Sequence, residues 1–417
     1  MRLLYSFGIS CYGLGVRLAA PFNEKAKLMV KGWRHAFEQL EAMPTDGCKT
    51  AWFHASSLGE FEQARPVLEQ FRIENPGFRV CVTFFSPSGY EIRKNYAGAD
   101  LVCYLPMDTR AHARRFVEML HPDVAFFVKY DFWFNYLDQL SRRQVPTYIF
   151  SAIFRPNQYF FKWYGGWFLK QLRRCYTHLF VQNEESVRLL QNHGVGQCSV
   201  AGDTRFDRVH AITQESQPNE VVELFLSYHS GCKVLVAGST WEPDETQLAE
   251  MADERKDVAF IVAPHVISEG HLTLITDLFA KKHGHKVVRY SQLREGQDAD
   301  ARILLIDNIG MLATLYRYAD VAYIGGGFGV GIHNILEAVT FGKPVVFGPN
   351  YHKFKEACDI IALGGGFSYR DADELRRTMA SLLDDESYRQ ASSQVCQHYL
   401  ADNLGSTKLI LNEIKIK

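Results

Sequence analysis

The chain has 417 residues, of which 47% are hydrophobic and 22% are charged, a balance typical of a folded globular protein with room for two domains. A formal net charge of -1 at pH 7 excludes a strongly basic protein and gives no reason to expect nucleic acid as a partner. Nine cysteines are scattered without a C-x-x-C pair, so neither a disulfide framework nor a zinc site is predicted, and a reducing, cytoplasmic setting is the simplest interpretation.

The N-terminal stretch, residues 3–22, is mostly apolar and about long enough to cross a bilayer, although it contains Arg17, two serines and three glycines. It has no obvious small-residue cleavage site, so a secreted signal peptide is not expected. A basic flank follows, formed by Lys25, Lys27, Lys31 and Arg34. An apolar helix with a basic flank predicts a segment that lies on, or is anchored in, an anionic leaflet; the alternative is a buried first helix.

The first half of the chain alternates short apolar strands with helices. Strands are predicted at residues 50–54, 79–85, 101–104, 124–128, 147–151, 179–182 and 199–201. A helix from about Glu60 to Arg72 follows the first strand, which places Glu60 at a strand-to-helix junction. A carboxylate there can act as a general base towards a hydroxyl, or can simply favour the helix dipole. The aromatic, basic segment 154–174 is equally consistent with a lipid contact and with core packing.

The second half repeats this alternation after a polar, proline-containing linker at residues 213–219. Strands are predicted at residues 233–237, 258–262, 303–306, 321–324 and 345–347, and helices from about 373 to 415. This pattern predicts an α/β fold with two doubly wound parallel sheets, in domains 1–211 and 212–417. Glycine-rich loops at strand ends in both domains suggest a ligand held between them.

The stretch ADVAYIGGGFGVGIHNILEAVTFGKPVVFGP, residues 319–349, is the most distinctive part of the chain. It predicts a strand, a loop with five glycines among residues 325–331, a helix over 333–341 and a second strand. Free N–H groups and the helix dipole favour a phosphate at such a loop, and Glu337, one turn past His333, suits ribose hydroxyls. The alternative is an ordinary βαβ turn with a solvated glutamate. The spacing fits neither G-x-G-x-x-G nor a P-loop.

Taken together, these motifs resemble the GT-B glycosyltransferases that transfer 3-deoxy-D-manno-octulosonic acid (Kdo). The family's N-terminal pattern H-A-x-S-x-G-E is matched by His54, Ala55, Ser57, Gly59 and Glu60. The resemblance continues through most of the chain, in Ala64-Arg65-Pro66, Gly202, Phe206-Asp207, Ala237-Gly238-Ser239-Thr240, Gly325-Gly326, His333-Asn334, Leu336-Glu337, Gly342-Lys343-Pro344 and Gly348-Pro349. It implies two Rossmann-like domains that face a central cleft.

The resemblance implies an inverting transfer of Kdo from CMP-Kdo to a lipid A precursor (lipid IVA) in lipopolysaccharide biosynthesis. Glu60 would be the catalytic base in an acceptor-binding N-terminal domain, with Ser57, Gly59 and Asp131 on the acceptor side. The C-terminal domain would bind CMP-Kdo through Ser239, Thr240, Pro264, His265, Gly310, Gly325, Gly326, Asn334 and Glu337. Neither a metal nor a cofactor is expected. The implied location is the cytoplasmic face of the cell inner membrane, through peripheral contact or a single N-terminal anchor.

Two segments depart from the family pattern. Where many members have P-R-H, this chain has Pro264-His265, so the arginine is missing and His265 is left as a candidate phosphate contact. Where members often have E-x-E-x-W-P-N, this chain has residues 129–135, KYDFWFN, with a lysine for one carboxylate and a phenylalanine for the proline. Both departures bear on ligand contacts and not on the fold.

Two other functions fit the same features less closely. One is a GT-B enzyme with another donor, such as a UDP-sugar glycosyltransferase or a sugar epimerase. The other is a non-catalytic protein that binds a nucleotide sugar or a lipid.

Overall fold

The computed structural model describes residues 1–44, 46–215 and 217–414, and the chain forms two compact units. The first unit comprises Met1–Arg208 together with Asn403–Lys417, and the second comprises Val209–Asp402. The first boundary lies close to the predicted one at residue 211. The C-terminal segment, however, belongs to the first unit, so its assignment to the C-terminal domain was wrong. Asp207 explains this, because its carboxylate accepts hydrogen bonds from the Gly405 and Thr407 N–H groups at 2.7 and 2.6 Å.

The first unit is an alternation of strands and helices preceded by two helices. Its elements are α1 (Arg2–Ala19), α2 (Glu24–Glu41), β1 (Lys49–Ala55), α3 (Leu58–Glu74), β2 (Phe78–Phe84), α4 (Pro87–Arg93), β3 (Leu101–Tyr104), α5 (Arg110–Leu120), β4 (Val124–Val128), α6 (Phe134–Arg142), β5 (Thr147–Ala152), α7 (Gly166–Cys175), β6 (His178–Val181), α8 (Glu184–Asn192) and β7 (Cys198–Val200). The helix α9 (Arg205–Glu215) carries the chain into the second unit.

The second unit repeats the alternation. Its elements are α10 (Glu220–Ser227), β8 (Lys233–Thr240), α11 (Glu242–Glu254), β9 (Val258–Pro264), α12 (Glu269–Asp277), β10 (Val287–Arg289), β11 (Ile303–Leu305), α13 (Leu312–Leu315), β12 (Val321–Ile324), α14 (Leu336–Val339), β13 (Val345–Phe347), α15 (Lys355–Leu363), β14 (Gly366–Ser368), α16 (Ala372–Asp384) and α17 (Glu386–Asn403). The last helix, α18 (Ser406–Glu413), packs on the first unit.

Among the described residues, each unit contains one seven-stranded parallel sheet, which confirms the predicted doubly wound α/β class. The strand orders are β3-β2-β1-β4-β5-β6-β7 and β10-β11-β9-β8-β12-β13-β14. The central strands are apolar and buried along their whole length, as in β4 and β9, because helices cover both faces of a parallel sheet. The strand order reverses between β1 and β4 in the first sheet and between β8 and β12 in the second.

The helix α1 packs on the first unit along one side only. The Tyr5 hydroxyl donates to Asp108 Oδ2 at 2.5 Å, and Gly13 is buried close to Met107. Complete burial raises the pKa of the Asp108 carboxyl to about 7. The opposite side of the helix is exposed and apolar, formed by Leu3, Leu4, Phe7, Leu14 and Leu18.

Within the described part of the chain, no single helix is long and apolar enough to span a membrane. Only when α1 and α2 are taken together are they long and apolar enough to do so, and the two helices are bent by 118° relative to each other.

The aromatic segment 154–174 contributes mainly to the core of the first unit. Phe154 and Phe160 are buried, and Phe161, Trp167 and Phe168 pack against the same cluster. Only part of the segment reaches the surface, where Trp163 is 95% exposed. Of the two interpretations that the sequence left open, core packing describes most of these residues.

Candidate active site

The loop after β1 is tied to the end of β4, at the reversal of strand order in the first sheet. The Ser56 N–H donates to Asp131 Oδ2 at 3.0 Å, and the Ser56 hydroxyl donates to Asp131 Oδ1. In doubly wound folds, ligands bind outside the carboxyl ends of the strands at such a reversal. The residues predicted for the acceptor side, Ser57, Gly59, Glu60 and Asp131, lie on the two segments that meet here.

The Asp131 carboxyl is only 6% exposed. Burial and, to a smaller extent, the negative charge of nearby Glu60 raise its pKa to about 8, against the lowering effect of the Ser56 hydrogen bonds. The carboxyl therefore keeps its proton over much of the neutral pH range. A protonated, buried acid positions the loop after β1 but does not accept a proton from a substrate.

Glu60 is the third residue of α3 and is partly exposed. The Ser57 hydroxyl donates a hydrogen bond to Glu60 Oε2, which holds this carboxylate oxygen in place. The backbone beside it is open, because a Cβ added to Gly59 would meet only Ser57 Oγ, at 3.8 Å. Glu60 is thus an oriented carboxylate with free space next to it.

His54 is completely buried behind this loop and is not a candidate base. Its Nδ1 is hydrogen-bonded to Thr83 Oγ1 at 2.8 Å, and its Nε2 lies 4.0 Å from Asp131 Oδ2. Burial lowers the pKa of the imidazole to about 3, so the ring is neutral at physiological pH. His54 therefore packs behind the loop after β1 as an uncharged side chain.

In the second unit, Ser239 lies at the equivalent reversal between β8 and β12. The register of β8 against β9 shifts between Gly238 and Thr240, and Ser239 has a φ of 54°, in the left-handed region. Its carbonyl oxygen would lie 2.2 Å from a Cβ at position 325. Gly325 is therefore required by close contact between two backbones.

The glycine loop after β12 uses several of its N–H groups internally. Gly325 donates to the Gly238 carbonyl at 2.9 Å, Gly326 donates to Asp244 Oδ2 at 2.9 Å, and Gly329 donates to the Gly326 carbonyl at 3.0 Å. The sequence predicts free N–H groups in this loop for a phosphate, but these three groups are already hydrogen-bonded within the protein. The helix after it is also shorter than predicted, since α14 covers Leu336–Val339 and its dipole is correspondingly small.

Three aromatic rings form a stack beside the glycine loop. The rings of Trp241 and His265 are 4.8 Å apart, and those of His265 and His333 are 4.3 Å apart. Burial, with a contribution from His265, lowers the pKa of His333 and keeps it neutral. Because Trp241 Nε1 donates to His333 Nε2 at 3.2 Å, the proton of His333 is placed on Nδ1.

The remaining residues predicted to bind the donor lie on the segments next to the glycine loop and at or after the ends of β8, β9 and β11. Asn334 is exposed, and its amide donates to Glu337 Oε1 at 3.1 Å. Thr240 and Pro264 are buried at the ends of β8 and β9. Gly310 is exposed after β11 with a φ of 98°, and a Cβ there would meet no atom within 4 Å.

A cavity of about 760 Å³ in the first unit and one of about 610 Å³ in the second are not lined by Glu60, Asp131 or the glycine loop. The first is lined mainly by α2 and α4, and the second by residues of α11 and α12 with Trp241 and Val266. Sequence reasoning had given no role to Ser56, Trp241 or Asp244. The sequence signal for Ser56 and Trp241 was their position directly after β1 and β8, and Asp244 lies in the first turn of α11.

The buried Asp131 carboxyl predicts a specific pH dependence of stability. Its folded-state pKa, about 8, lies above the ordinary value of 3.8, so its contribution to stability is complete below about pH 3.8 and is lost as the pH rises through about 8. In Asp131→Asn this dependence is absent. Chemical denaturation should therefore show the stability of the wild type falling relative to the variant as the pH rises.

The control for this measurement is Glu60→Gln. Removing the neighbouring negative charge lowers the pKa of Asp131, so the loss of stability shifts to lower pH. A difference between wild type and Asp131→Asn that is independent of pH would show that Asp131 is not a buried, protonated acid.

Comparison with known proteins identifies the relatives of this chain. A family model described as 3-Deoxy-D-manno-octulosonic-acid transferase (kdotransferase) matches residues 31–208. The 3-deoxy-D-manno-octulosonic acid transferase of Aquifex aeolicus is 26% identical over 343 residues, covering 81% of this chain and 87% of the relative. The protein of the same name from Bordetella pertussis is 26% identical over 388 residues, covering 87% of this chain and 86% of the relative.

Solved structures agree on the fold. UDP-GlcNAc 2-epimerase from Neisseria meningitidis, crystallised with UDP-GlcNAc, aligns with a TM-score of 0.61 over 87% of this chain and 98% of its own. The sequence identity is 14%, so this similarity concerns the fold alone, and it confirms the GT-B class. The resemblance seen in the sequence is also confirmed: over most of its length the chain is similar to proteins named 3-deoxy-D-manno-octulosonic acid transferase, and residues 31–208 match the family model.

Proposed function

We propose that this chain is a glycosyltransferase of lipopolysaccharide biosynthesis that moves Kdo from CMP-Kdo to a lipid A precursor, lipid IVA. One observation carries the proposal. In a homologue of the Kdo transferases, the residues predicted for catalysis and donor binding lie at the carboxyl ends of strands, most of them at the reversals of strand order.

Glu60 is the best candidate for the base among the three ionisable groups of its cluster. Asp131 keeps its proton, and His54 is neutral, fully buried and already hydrogen-bonded. Glu60 is partly exposed and oriented by the hydrogen bond from Ser57, and the backbone at neighbouring Gly59 is not covered by other atoms. It accepts the proton of the acceptor hydroxyl as the hydroxyl oxygen attacks the anomeric carbon of Kdo.

The bond between Kdo and the phosphate of CMP breaks in the same step, and CMP leaves with the bonding electron pair. A single displacement of this kind inverts the anomeric configuration. The negative charge that develops on the leaving phosphate is stabilised best by fixed hydrogen-bond donors.

The second unit offers side-chain donors for that phosphate in place of the paired glycine N–H groups. His333 carries its proton on Nδ1, and the Asn334 amide is exposed next to it. His265 holds the His333 ring by stacking at 4.3 Å. The close backbone packing of Gly325 against Ser239 fixes the position of this group relative to β8. Glu337 remains the candidate for the ribose hydroxyls.

Contact with the cytoplasmic face of the inner membrane is the second part of the proposal. The exposed side of α1 is apolar, while its other side is fixed to the first unit through Tyr5. The next helix, α2, carries exposed cations, including Lys27 and Lys31. A helix with this distribution favours an orientation in the plane of an anionic leaflet.

The role of Glu60 is tested by Glu60→Gln, which keeps the shape of the side chain but removes its basicity. Transfer from CMP-Kdo to the lipid A precursor should fall by about 10²- to 10⁴-fold, while binding of CMP is retained. The matched control is Glu74→Gln on the same helix, which should transfer at the wild-type rate. Transfer by Glu60→Gln at a rate close to wild type would exclude Glu60 as the base. Preference of the wild type for a UDP-sugar would instead favour a different GT-B enzyme.

The membrane contact is tested by Leu4→Glu/Phe7→Glu, which places two charges on the exposed side of α1. Each side chain contributes about 1.5–3 kcal/mol when fully buried, so binding to anionic vesicles should weaken by at least about tenfold in a sedimentation assay. The control is Leu363→Glu/Leu409→Glu, because these leucines are similarly exposed, at 55% and 51%, but lie on other helices. Equal vesicle binding by the two double variants would contradict a contact through α1.

A further inference from the structure

A cavity lined by arginines lies in the first unit at the beginning of α1, and the proposed transfer chemistry does not use it. Its volume is about 450 Å³, and it is lined by Arg2, Arg110, Ala111, Arg114, Gln139 and Arg142. Four of the six lining residues are arginines, and none is acidic. Such a surface has an excess of hydrogen-bond donors and positive charge.

The nearest negative charges do not neutralise this cavity. Asp138 is buried beneath it and pairs with Arg2 and with Arg142, the latter at 2.9 Å, but it also pairs with Arg174 at 2.6 Å. One carboxylate is therefore shared by three guanidinium groups. This arrangement fixes Arg2 and Arg142 in place and leaves most of their charge uncompensated.

The two arginines from α5 make fewer ion pairs and hydrogen bonds than Arg2 and Arg142. Arg114 is 4.0 Å from its nearest carboxylate, that of Glu118, and its side chain is 68% exposed. Among the described residues, the Arg110 guanidinium makes no hydrogen bond or ion pair. Arg110 and Arg114 are one helical turn apart on α5, so both can contact one anion from the same side.

The apolar side of α1 adjoins this cavity. Arg2 is the first residue of α1, the exposed residues Leu3 and Leu4 follow it directly, and exposed Phe7 lies about one turn further along the helix. An occupant of the cavity therefore lies beside an exposed apolar surface. An anion joined to hydrocarbon chains satisfies both features, whereas a free anion satisfies only one.

We propose that this cavity binds the phosphomonoester headgroup of a membrane lipid. Guanidinium groups form paired hydrogen bonds with phosphate oxygens, and a terminal phosphate presents three such oxygens and up to two negative charges. A phosphodiester headgroup presents only two free oxygens and one charge. The inference rests on the proposed membrane contact of α1 and is independent of the sugar transfer.

The test compares vesicles of equal total lipid charge. Full-length protein is sedimented with phosphatidylcholine vesicles that contain either phosphatidic acid, a phosphomonoester, or phosphatidylglycerol, a phosphodiester. Binding to the phosphatidic acid vesicles should be about tenfold tighter. Equal binding to the two vesicle types would overturn the proposal, because it would show attraction to surface charge alone.

The variant is Arg110→Gln/Arg114→Gln, which leaves the Arg2 and Arg142 pairs with Asp138 intact. It should lose the preference for phosphatidic acid. The matched control is Arg370→Gln/Arg377→Gln in the second unit, where Arg370, two residues before α16, is likewise 4.0 Å from a carboxylate, that of Glu374. This control carries the same change of charge and should keep the preference. Retention of the preference by the α5 variant would overturn the assignment to this cavity.

A soluble ligand separates failure of the cavity from failure of the membrane contact. Calorimetric titration with dihexanoyl phosphatidic acid should show binding that Arg110→Gln/Arg114→Gln abolishes, and inorganic phosphate should bind more weakly. If the soluble lipid binds but no vesicle does, the cavity is supported and the membrane contact of α1 is excluded. If inorganic phosphate binds as tightly as the soluble lipid, a lipid is not the intended ligand and the proposal fails.

Discussion

The two hydrogen bonds that Ser56 donates to the buried Asp131 carboxyl hold the ends of β1 and β4 together, and the rest of the site depends on them. They set the direction in which the chain leaves β1 and so fix the start of α3, where Glu60 stands. The same contact removes Asp131 from competition as a base, because a carboxyl buried beside a second acid keeps its proton. Asp131 is thus structural, and partly exposed Glu60 is the acid proposed as the base.

In the second unit, backbone contacts hold the two loops at the reversal of strand order together. The carbonyl of Ser239 occupies the space that a side chain at Gly325 would need, and this brings the loops after β8 and β12 together. Asp244 then accepts the Gly326 N–H from beneath the loop. The polar groups left for a nucleotide are side chains, chiefly His333 and Asn334. In both units most of the candidate site residues therefore lie at the reversal of strand order, where doubly wound sheets bind ligands.

The sequence predicted the central strands well, because parallel strands buried on both faces are continuous apolar runs, as in Val124–Val128. It missed the short edge strands β10 and β14 of the second sheet. It overestimated the helix after the glycine loop, because His333 fits helical spacing but is held by ring stacking outside the helix. The return of α18 to the first unit depends on hydrogen bonds between Asp207 and residues about 200 positions later. A contact over this separation leaves no local sequence pattern from which it could be predicted. The Ser56–Asp131 contact spans 75 positions and was missed for the same reason.

The proposed reaction is transfer of Kdo to a lipid-linked sugar, with Glu60 as the base and CMP as the leaving group. The most direct test is the mass of the product that the purified full-length chain forms from CMP-Kdo and a tetra-acylated lipid A precursor. The expected product is the precursor carrying one or more Kdo residues, with one CMP released for each Kdo added. An unmodified lipid, whether CMP-Kdo is hydrolysed or only bound, would contradict this function.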